Sequence, residues 1–135
     1  MFDDDYYIKI LSYISSMQNI KFMAGIPCTD LIGLYNNIDP SKFLYIPAIS
    51  TNSAMNMVNG ATLLKGKGIL ITPAEELEKM DLSFNIKNNI ELYIITNKKV
   101  KLKSKFIHFL LYKGKEKELD IFFNKSEKLI KVMVV

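Results

Sequence analysis

The sequence predicts a three-layer α/β sandwich that is built around a mostly parallel β-sheet. Segments with apolar residues three and four positions apart, the spacing of an amphipathic helix, alternate along the chain with short apolar runs that are typical of strands. One run, Ile69-Leu70-Ile71, is apolar at every position, as expected for a strand that is covered by helices on both faces. The length of 135 residues fits a single domain over residues 1–135.

The predicted strands and helices alternate in the following order. The strands cover residues 21–26, 43–47, 69–71, 90–95, 106–112 and 130–135. The helices cover residues 6–18, 29–37, 51–64, a short segment that ends near 81, and 116–127. The inward-facing residues of the first and third helices are predicted to be Tyr7, Ile10, Leu11, Ile14 and Met17, and Ala54, Met57, Val58, Ala61 and Leu64. No element is assigned to residues 82–89, and a β-hairpin is the alternative for the tail after Gly114.

Three helix starts carry signals in the sequence. The acidic residues 3–5 precede the first helix, where they suit the positive end of the helix dipole. Either Ser50 or Thr51 is the predicted N-cap of the third helix. The segment Thr72-Pro73-Ala74-Glu75 predicts a capping box, with proline at the first helical position.

The charge distribution distinguishes the two halves of the chain. Residues 86–135 hold twelve of the 18 Lys and only five acids, whereas residues 1–85 are net acidic. The chain contains no Arg, although bidentate recognition of phosphate or guanine usually relies on Arg. A lysine-coated surface is therefore the preferred interpretation, and nucleic-acid binding through the basic half is the least favoured function.

The cysteine content and the absence of long apolar runs predict a cytoplasmic protein that does not enter a membrane. The single cysteine cannot form an internal disulfide, the first residues are acidic where a signal peptide is basic, and no apolar run approaches the ~20 residues of a membrane span. Cys28 is interpreted as a small turn residue and His108 as a half-buried strand residue. One Cys and one His cannot form a structural zinc site, so no metal ligand is predicted.

Several segments share a pattern with a known family. The first strand and the following turn contain Phe22-Met23-Ala24-Gly25-Ile26-Pro27-Cys28, with Leu31 next. Further segments are Tyr45-Ile46-Pro47-Ala48, Ala54, Gly60-Ala61, Gly66-Lys67-Gly68 and the apolar run 106–114, which closes with Lys-Gly. In order and spacing they resemble the pyrimidine-binding domain of thiamine-diphosphate-dependent decarboxylases, most closely the α subunit of sulfopyruvate and phosphonopyruvate decarboxylases. The resemblance covers about residues 6–114 and leaves 115–135 as a C-terminal extension.

The resemblance implies a thiamine-diphosphate-binding fold that is shortened in its second half. The implied cofactor pocket contains Pro27, Cys28, Ser50, Thr51 and Thr72. In the family, a glutamate after the second strand binds the aminopyrimidine ring and drives ylid formation, and Thr51 occupies that position here. A neutral hydroxyl cannot replace a carboxylate in this proton relay. The nearest upstream acid, Asp39, precedes the strand, so no catalytic residue is predicted.

A second departure from the family lies after the third strand. The family has a loop of small residues there, which lets the backbone approach the cofactor, whereas this chain has Thr72-Pro73-Ala74-Glu75-Glu76. Proline removes an amide donor, and the two glutamates add charge.

Three functions follow as hypotheses. The first is a binding or interaction subunit, a degenerate pyrimidine-binding-type domain that is not catalytic by itself and works as a homodimer or with a separately encoded diphosphate-binding subunit. The second is the α subunit of a heteromeric 2-oxoacid decarboxylase. In either case no cofactor is expected for the chain alone, and thiamine diphosphate with Mg²⁺ is expected only in a complex with a diphosphate-binding partner. The third hypothesis, nucleic-acid binding, has the least support.

Overall fold

The computed structural model describes residues 4–64, 66–102 and 105–135, and a six-stranded parallel sheet forms the centre of this part of the chain. The strands are β1 (Phe22–Gly25), β2 (Leu44–Pro47), β3 (Gly68–Ile71), β4 (Leu92–Thr96), β5 (Ile107–Leu111) and β6 (Ile130–Val134). Their order across the sheet is β2-β1-β3-β4-β6-β5, and every neighbouring pair is parallel. The predicted α/β class is therefore confirmed, and the mostly parallel sheet is parallel throughout the described residues.

Helices cover both faces of the sheet. They are α1 (Asp4–Ser12), α2 (Ile32–Asn36), α3 (Thr51–Leu63), α4 (Ala74–Leu77), α5 (Ser83–Lys87) and α6 (Glu116–Asp120). A π-helical turn extends α1 over Tyr13–Met17 and another extends α6 over Ile121–Lys125, while a 3₁₀ turn, Thr29–Leu31, precedes α2. In the described part of the chain, no helix is both long enough and apolar enough to cross a membrane.

Alternation along each strand produces two hydrophobic cores. In β3, Ile69 and Ile71 belong to the core under α1, α2 and α6, whereas Leu70 belongs to the core under α3, α4 and α5. Because successive side chains of a strand point to opposite faces, a strand with helices on both sides must be apolar at every position. Each fully buried Ile or Leu contributes about 1.5–3 kcal/mol to folding, which explains why these short strands hold their places.

The predicted inward faces of two helices are partly wrong. Met17 is 64% exposed and Leu64 is 86% exposed, while Met57 is also exposed. Met17 lies in a π-helical turn, in which Gln18 N–H donates to the Tyr13 carbonyl, and the extra residue in such a turn moves it off the buried stripe. Leu64 lies just beyond the end of α3.

The residues buried on α3 differ in part from those predicted, and two of them, Thr51 and Asn59, are polar. Met55 and Asn59 face the sheet, where Met57 and Leu64 were expected. Asn59 is buried because its side-chain amide is paired with that of Asn85 on α5. A search for apolar periodicity alone does not detect such a position.

The N-caps of α3 and α4 test the two caps that were predicted for these helices. Ser50 is the N-cap of α3, since its Oγ accepts a hydrogen bond from Ser53 N–H at 3.1 Å, and Thr51 is the first helical residue. The predicted capping box at Thr72 is wrong. Pro73 occupies the N-cap of α4, and the amide of Ala74 instead donates to Asn97 Oδ1 at 3.0 Å. The side chain of Asn97, in the loop after β4, therefore accepts a backbone amide at the start of α4, where Thr72 was expected to act as the cap.

The C-terminal segment forms a helix and a parallel strand, so the β-hairpin alternative is wrong. Glu118 Oε1 accepts the backbone amides of Lys113 and Lys115 at 3.0 and 3.1 Å, which fixes the start of α6. The segment 115–135, expected as an extension, supplies α6 and the interior strand β6. Residues 82–89, left without an element, contain α5. α1 begins at Asp4, so Asp4 and Asp5 lie within its first turn and not before it, at the positive end of the helix dipole that they were expected to suit, whereas Asp3 lies outside the described residues.

Candidate functional site

The predicted pocket residues lie in loops that follow three neighbouring strands. Pro27 and Cys28 follow β1, Ser50 and Thr51 follow β2, and Thr72 follows β3. The chain leaves β1 for β2 on one side and later returns to β3 on the other side. The space between β1 and β3 is therefore a topological switch point, where open parallel sheets commonly bind ligands beyond the carboxyl ends of their strands.

The structure brings Thr51 and Thr72 together. Both side chains are buried, and their Oγ1 atoms lie 3.3 Å apart. Thr72 Oγ1 also lies 3.5 Å from the Pro73 carbonyl, so Thr51 can donate to Thr72 while Thr72 donates to that carbonyl, which gives both buried hydroxyls a partner. A pair of neutral hydroxyls can orient a polar ligand atom, but it cannot accept a proton at neutral pH as a carboxylate does.

Ser50, Pro27 and Cys28 do not join this pair. The Ser50 hydroxyl is committed to the start of α3 and donates to Ser53 Oγ at 2.9 Å. Within the described residues, neither Pro27 nor Cys28 hydrogen-bonds the threonines. Cys28 packs against the core under α1 and α2, which agrees with its interpretation as a turn residue.

Backbone contacts close the switch point itself. Ile26 N–H donates to the Ile71 carbonyl at 3.1 Å across the space between β1 and β3, while Ala48 N–H donates to the Gly25 carbonyl at 2.8 Å between β2 and β1. A Cβ atom at Gly25 would lie 2.0 Å from the Ile71 carbonyl oxygen. The two strands can approach so closely because Gly25 has no side chain, and backbone atoms close this edge between β1 and β3.

An apolar groove of about 570 Å³ opens beside the closed edge. It is lined by Pro27, Tyr35, Ile38, Pro40, Phe43, Leu44 and Tyr45. The Tyr35 hydroxyl donates to the Ile26 carbonyl at 2.7 Å. Burial raises the pKa of both tyrosines, so their phenols stay protonated near neutral pH and do not act as bases. The groove is suited to apolar contact and not to proton transfer.

Asp30 and Asn97 are two polar residues at this edge that the sequence analysis did not identify. Asn97 Nδ2 donates to Asp30 Oδ2 at 2.9 Å, and Asn97 Oδ1 accepts the amide of Ala74. These hydrogen bonds link Asp30 through Asn97 to Ala74, the first residue of α4, which lies two residues after Thr72. Asn97 directly follows β4, and a polar residue directly after a buried strand is the signal that could have found it.

The acid that the sequence analysis named, Asp39, lies in the turn before β2. The Ser41 hydroxyl and amide donate to its carboxylate at 2.7 and 2.9 Å, and these hydrogen bonds hold the pKa of Asp39 below its usual range. Among the described residues, no group of three or more His, Cys, Asp or Glu side chains is arranged to hold a metal ion.

His108 is half-buried in β5, as predicted, and it supports a prediction about pH. Burial lowers its pKa, and Lys131 and Lys128 lower it further. Because the pKa in the folded chain lies below the ordinary value of about 6.5, protonation favours the unfolded chain. The unfolding free energy should therefore fall as pH drops from 6.5 toward the folded pKa. Urea titrations between pH 7.5 and 5.5 should show this fall in the wild type and a smaller one in His108→Gln. Equal slopes of unfolding free energy against pH in the two proteins would contradict the prediction that His108 causes the fall.

The likeness to pyrimidine-binding domains rests on the segments quoted above. No protein-family model matches this sequence, and no curated protein matches it significantly. The family assignment therefore remains a prediction.

Proposed function

We propose that this chain is a binding or interaction subunit, a pyrimidine-binding-type domain without its own catalytic acid. The observation that carries the proposal is the buried Thr51–Thr72 hydroxyl pair, which stands where the resemblance places the glutamate and its neighbouring cofactor loop. The parallel α/β sheet is the fold class that the resemblance implies. Two buried hydroxyls that are joined by a hydrogen bond provide no base for ylid formation.

Two further contacts support loss of the cofactor pocket. The close approach of Gly25 to Ile71 fills the switch point with backbone, and Pro73 supplies no amide at the start of α4. Thiamine diphosphate with Mg²⁺ is accordingly part of the proposal only for a complex with a diphosphate-binding partner. A cytoplasmic location belongs to the same proposal.

The partner surface is proposed at the β2 edge. Leu44, on the strand, is 60% exposed, and Ile49, in the loop after it, is fully exposed. Exposed apolar side chains beside a groove are typical of protein interaction sites. The occupant is a second copy of this chain or a separately encoded diphosphate-binding subunit.

The structure also offers one observation for the alternative, the α subunit of a heteromeric sulfopyruvate- or phosphonopyruvate-type decarboxylase. Asp30 places a carboxylate at the same edge of the sheet, although it is exposed and bonded to Asn97. An active enzyme would need this carboxylate, or one from a partner chain, to reach the cofactor.

Calorimetric titration of the purified chain with thiamine diphosphate and Mg²⁺ tests the proposal. We expect no binding heat and no rise in melting temperature beyond those that pyrophosphate with Mg²⁺ produces, with thiamine lacking the diphosphate as a second control. Saturable binding of thiamine diphosphate by the chain alone in excess of the pyrophosphate reference, or turnover of sulfopyruvate or phosphonopyruvate, would contradict the non-catalytic assignment.

Light scattering after size exclusion tests the interaction surface separately. If the β2 edge joins two copies, Ile49→Asp should convert a dimer to a monomer, whereas Ile121→Asp on the far α6 turn should not. A dimer that survives Ile49→Asp would place the interface elsewhere.

A further inference from the structure

Lys131 is a buried lysine on the interior strand β6. Its side chain is only 4% exposed, and it is aligned across the sheet with Tyr93 on β4 and His108 on β5. Its Nζ lies 5.0 Å from the centre of the Tyr93 ring, within cation–π range. No carboxylate in the described part of the chain comes within 4 Å of that Nζ. An ammonium that opens only onto a groove and has no carboxylate beside it is partly desolvated and unpaired, so its position needs an explanation.

The amino edge of the sheet contains a groove of about 1040 Å³ that Lys131 reaches. Its charged lining residues are Lys67, Lys105, Lys128, Lys131, Glu91 and Glu127. The four ammonium groups outnumber the two carboxylates, and this edge is opposite to the one that carries Thr51 and Thr72. The groove is therefore a positively charged cavity that is separate from the predicted cofactor pocket.

Lys67 lies close to the same aromatic ring. Its Nζ is 5.9 Å from the centre of the Tyr93 ring, so one ring is shared by two ammonium groups. Glu91 compensates only in part, because its Oε1 accepts the Tyr93 hydroxyl at 2.8 Å. Burial lowers the pKa of Lys131, Glu91 opposes this effect, and Lys67 adds to it. An anion in the groove would relieve the repulsion between the two lysines.

We propose that this groove binds a small phosphate-bearing molecule, with Lys131 at its floor and Lys67 at its rim. Lysine binds phosphate as a point charge, so this site does not need the bidentate arginine fork, which the chain lacks. A phosphate monoester carries a charge of about −1.5 to −2 at pH 7, which suits several surrounding ammonium groups better than a single carboxylate does. Ser126 and Asn89 also line the groove and can donate hydrogen bonds. The proposal does not depend on the function proposed for the opposite edge.

Calorimetry and thermal melts with inorganic phosphate and pyrophosphate test the site, with chloride at equal ionic strength as the reference. We expect saturable binding and a melting temperature that rises with phosphate but not with chloride. Lys131→Met should weaken binding at least tenfold and Lys67→Met several-fold. Lys117→Met, an exposed lysine on α6, is the matched control and should bind as the wild type does.

Two results would overturn the proposal: phosphate that stabilises no more than chloride, or a folded Lys131→Met variant that binds phosphate as tightly as the wild type. Circular dichroism shows whether that variant folds. If it does not, Lys67→Met decides, because Lys67 is exposed and its removal should leave the fold intact. Equal losses in Lys67→Met and Lys117→Met would indicate only general attraction to a basic surface and would also refute the site.

Discussion

Gly25→Ala should destabilise the protein by about 3 kcal/mol or more, the largest effect we expect from adding a single methyl group. The new Cβ would lie 2.0 Å from the Ile71 carbonyl oxygen, which is backbone and accepts the Ile26 amide. Relief therefore requires β1 and β3 to separate. Overpacking usually lowers the unfolding free energy by about 1–3 kcal/mol. Because backbone atoms cannot rotate away as a side chain can, we expect this clash to cost about 3 kcal/mol or more. Urea denaturation should show a lower midpoint with an unchanged slope.

Gly60→Ala is the matched control for this substitution. Gly60 lies inside α3, and a Cβ there would meet no atom within 4 Å. Alanine is the better helix former, so this variant should be more stable than the wild type by about 0.5–1 kcal/mol. If the unfolding free energy of Gly25→Ala lies within about 0.5 kcal/mol of the wild-type value, β1 and β3 do not approach each other as closely as described.

Asn85→Leu should cost about 2–4 kcal/mol, because it breaks a buried pair of side-chain amides. Asn59 and Asn85 exchange two hydrogen bonds of 2.9 Å between α3 and α5, and Asn85 Nδ2 also donates to the Ile90 carbonyl at 3.1 Å. Leucine at 85 leaves the Asn59 amide buried without partners. A buried polar group that loses its partner incurs its full desolvation cost. Chemical denaturation of the single variant measures the loss.

The double variant Asn59→Leu/Asn85→Leu tests the pair directly. With both amides replaced by apolar groups, much of the stability should return, so the two single effects should be strongly non-additive. Asn88→Ala serves as the control, because the Asn88 side chain is exposed and, in the described part of the chain, bonds only the Phe84 carbonyl nearby. Additive losses in the double variant would mean that the amides do not act as a pair.

The layers and strands of this fold could be predicted from the sequence because burial leaves a local mark. A strand such as 69–71, apolar at every position, has to be covered on both faces. The Asn59–Asn85 pair could not be predicted, since its two members are 26 positions apart and each resembles an ordinary exposed polar residue. Lys131 did leave a signal, a single charge within the run Ile130–Val135, but its burial depends on neighbours from two other strands.

The candidate site was only partly predictable for the same reason. Thr51 and Thr72 were both assigned to the pocket, and the fold places their hydroxyls in contact. Ser50 was assigned as well, yet local capping geometry uses it. The Asp30–Asn97 contact spans 67 positions and depends on how two loops pass each other. The spacing of residues along the sequence does not predict such a contact between two loops.

The position of β6 has a consequence for how the protein is made. This strand lies between β4 and β5, yet it follows both of them along the chain and is therefore synthesised after them. Until residues 130–134 leave the ribosome, β5 has no partner and β4 has one open side. A nascent chain therefore exposes unpaired strand edges until β6 has emerged, and such edges are prone to aggregate. Ribosomes that stall before residue 130 should yield chains that depend on chaperones, whereas chains with the strand and a further linker outside the ribosome should resist proteolysis.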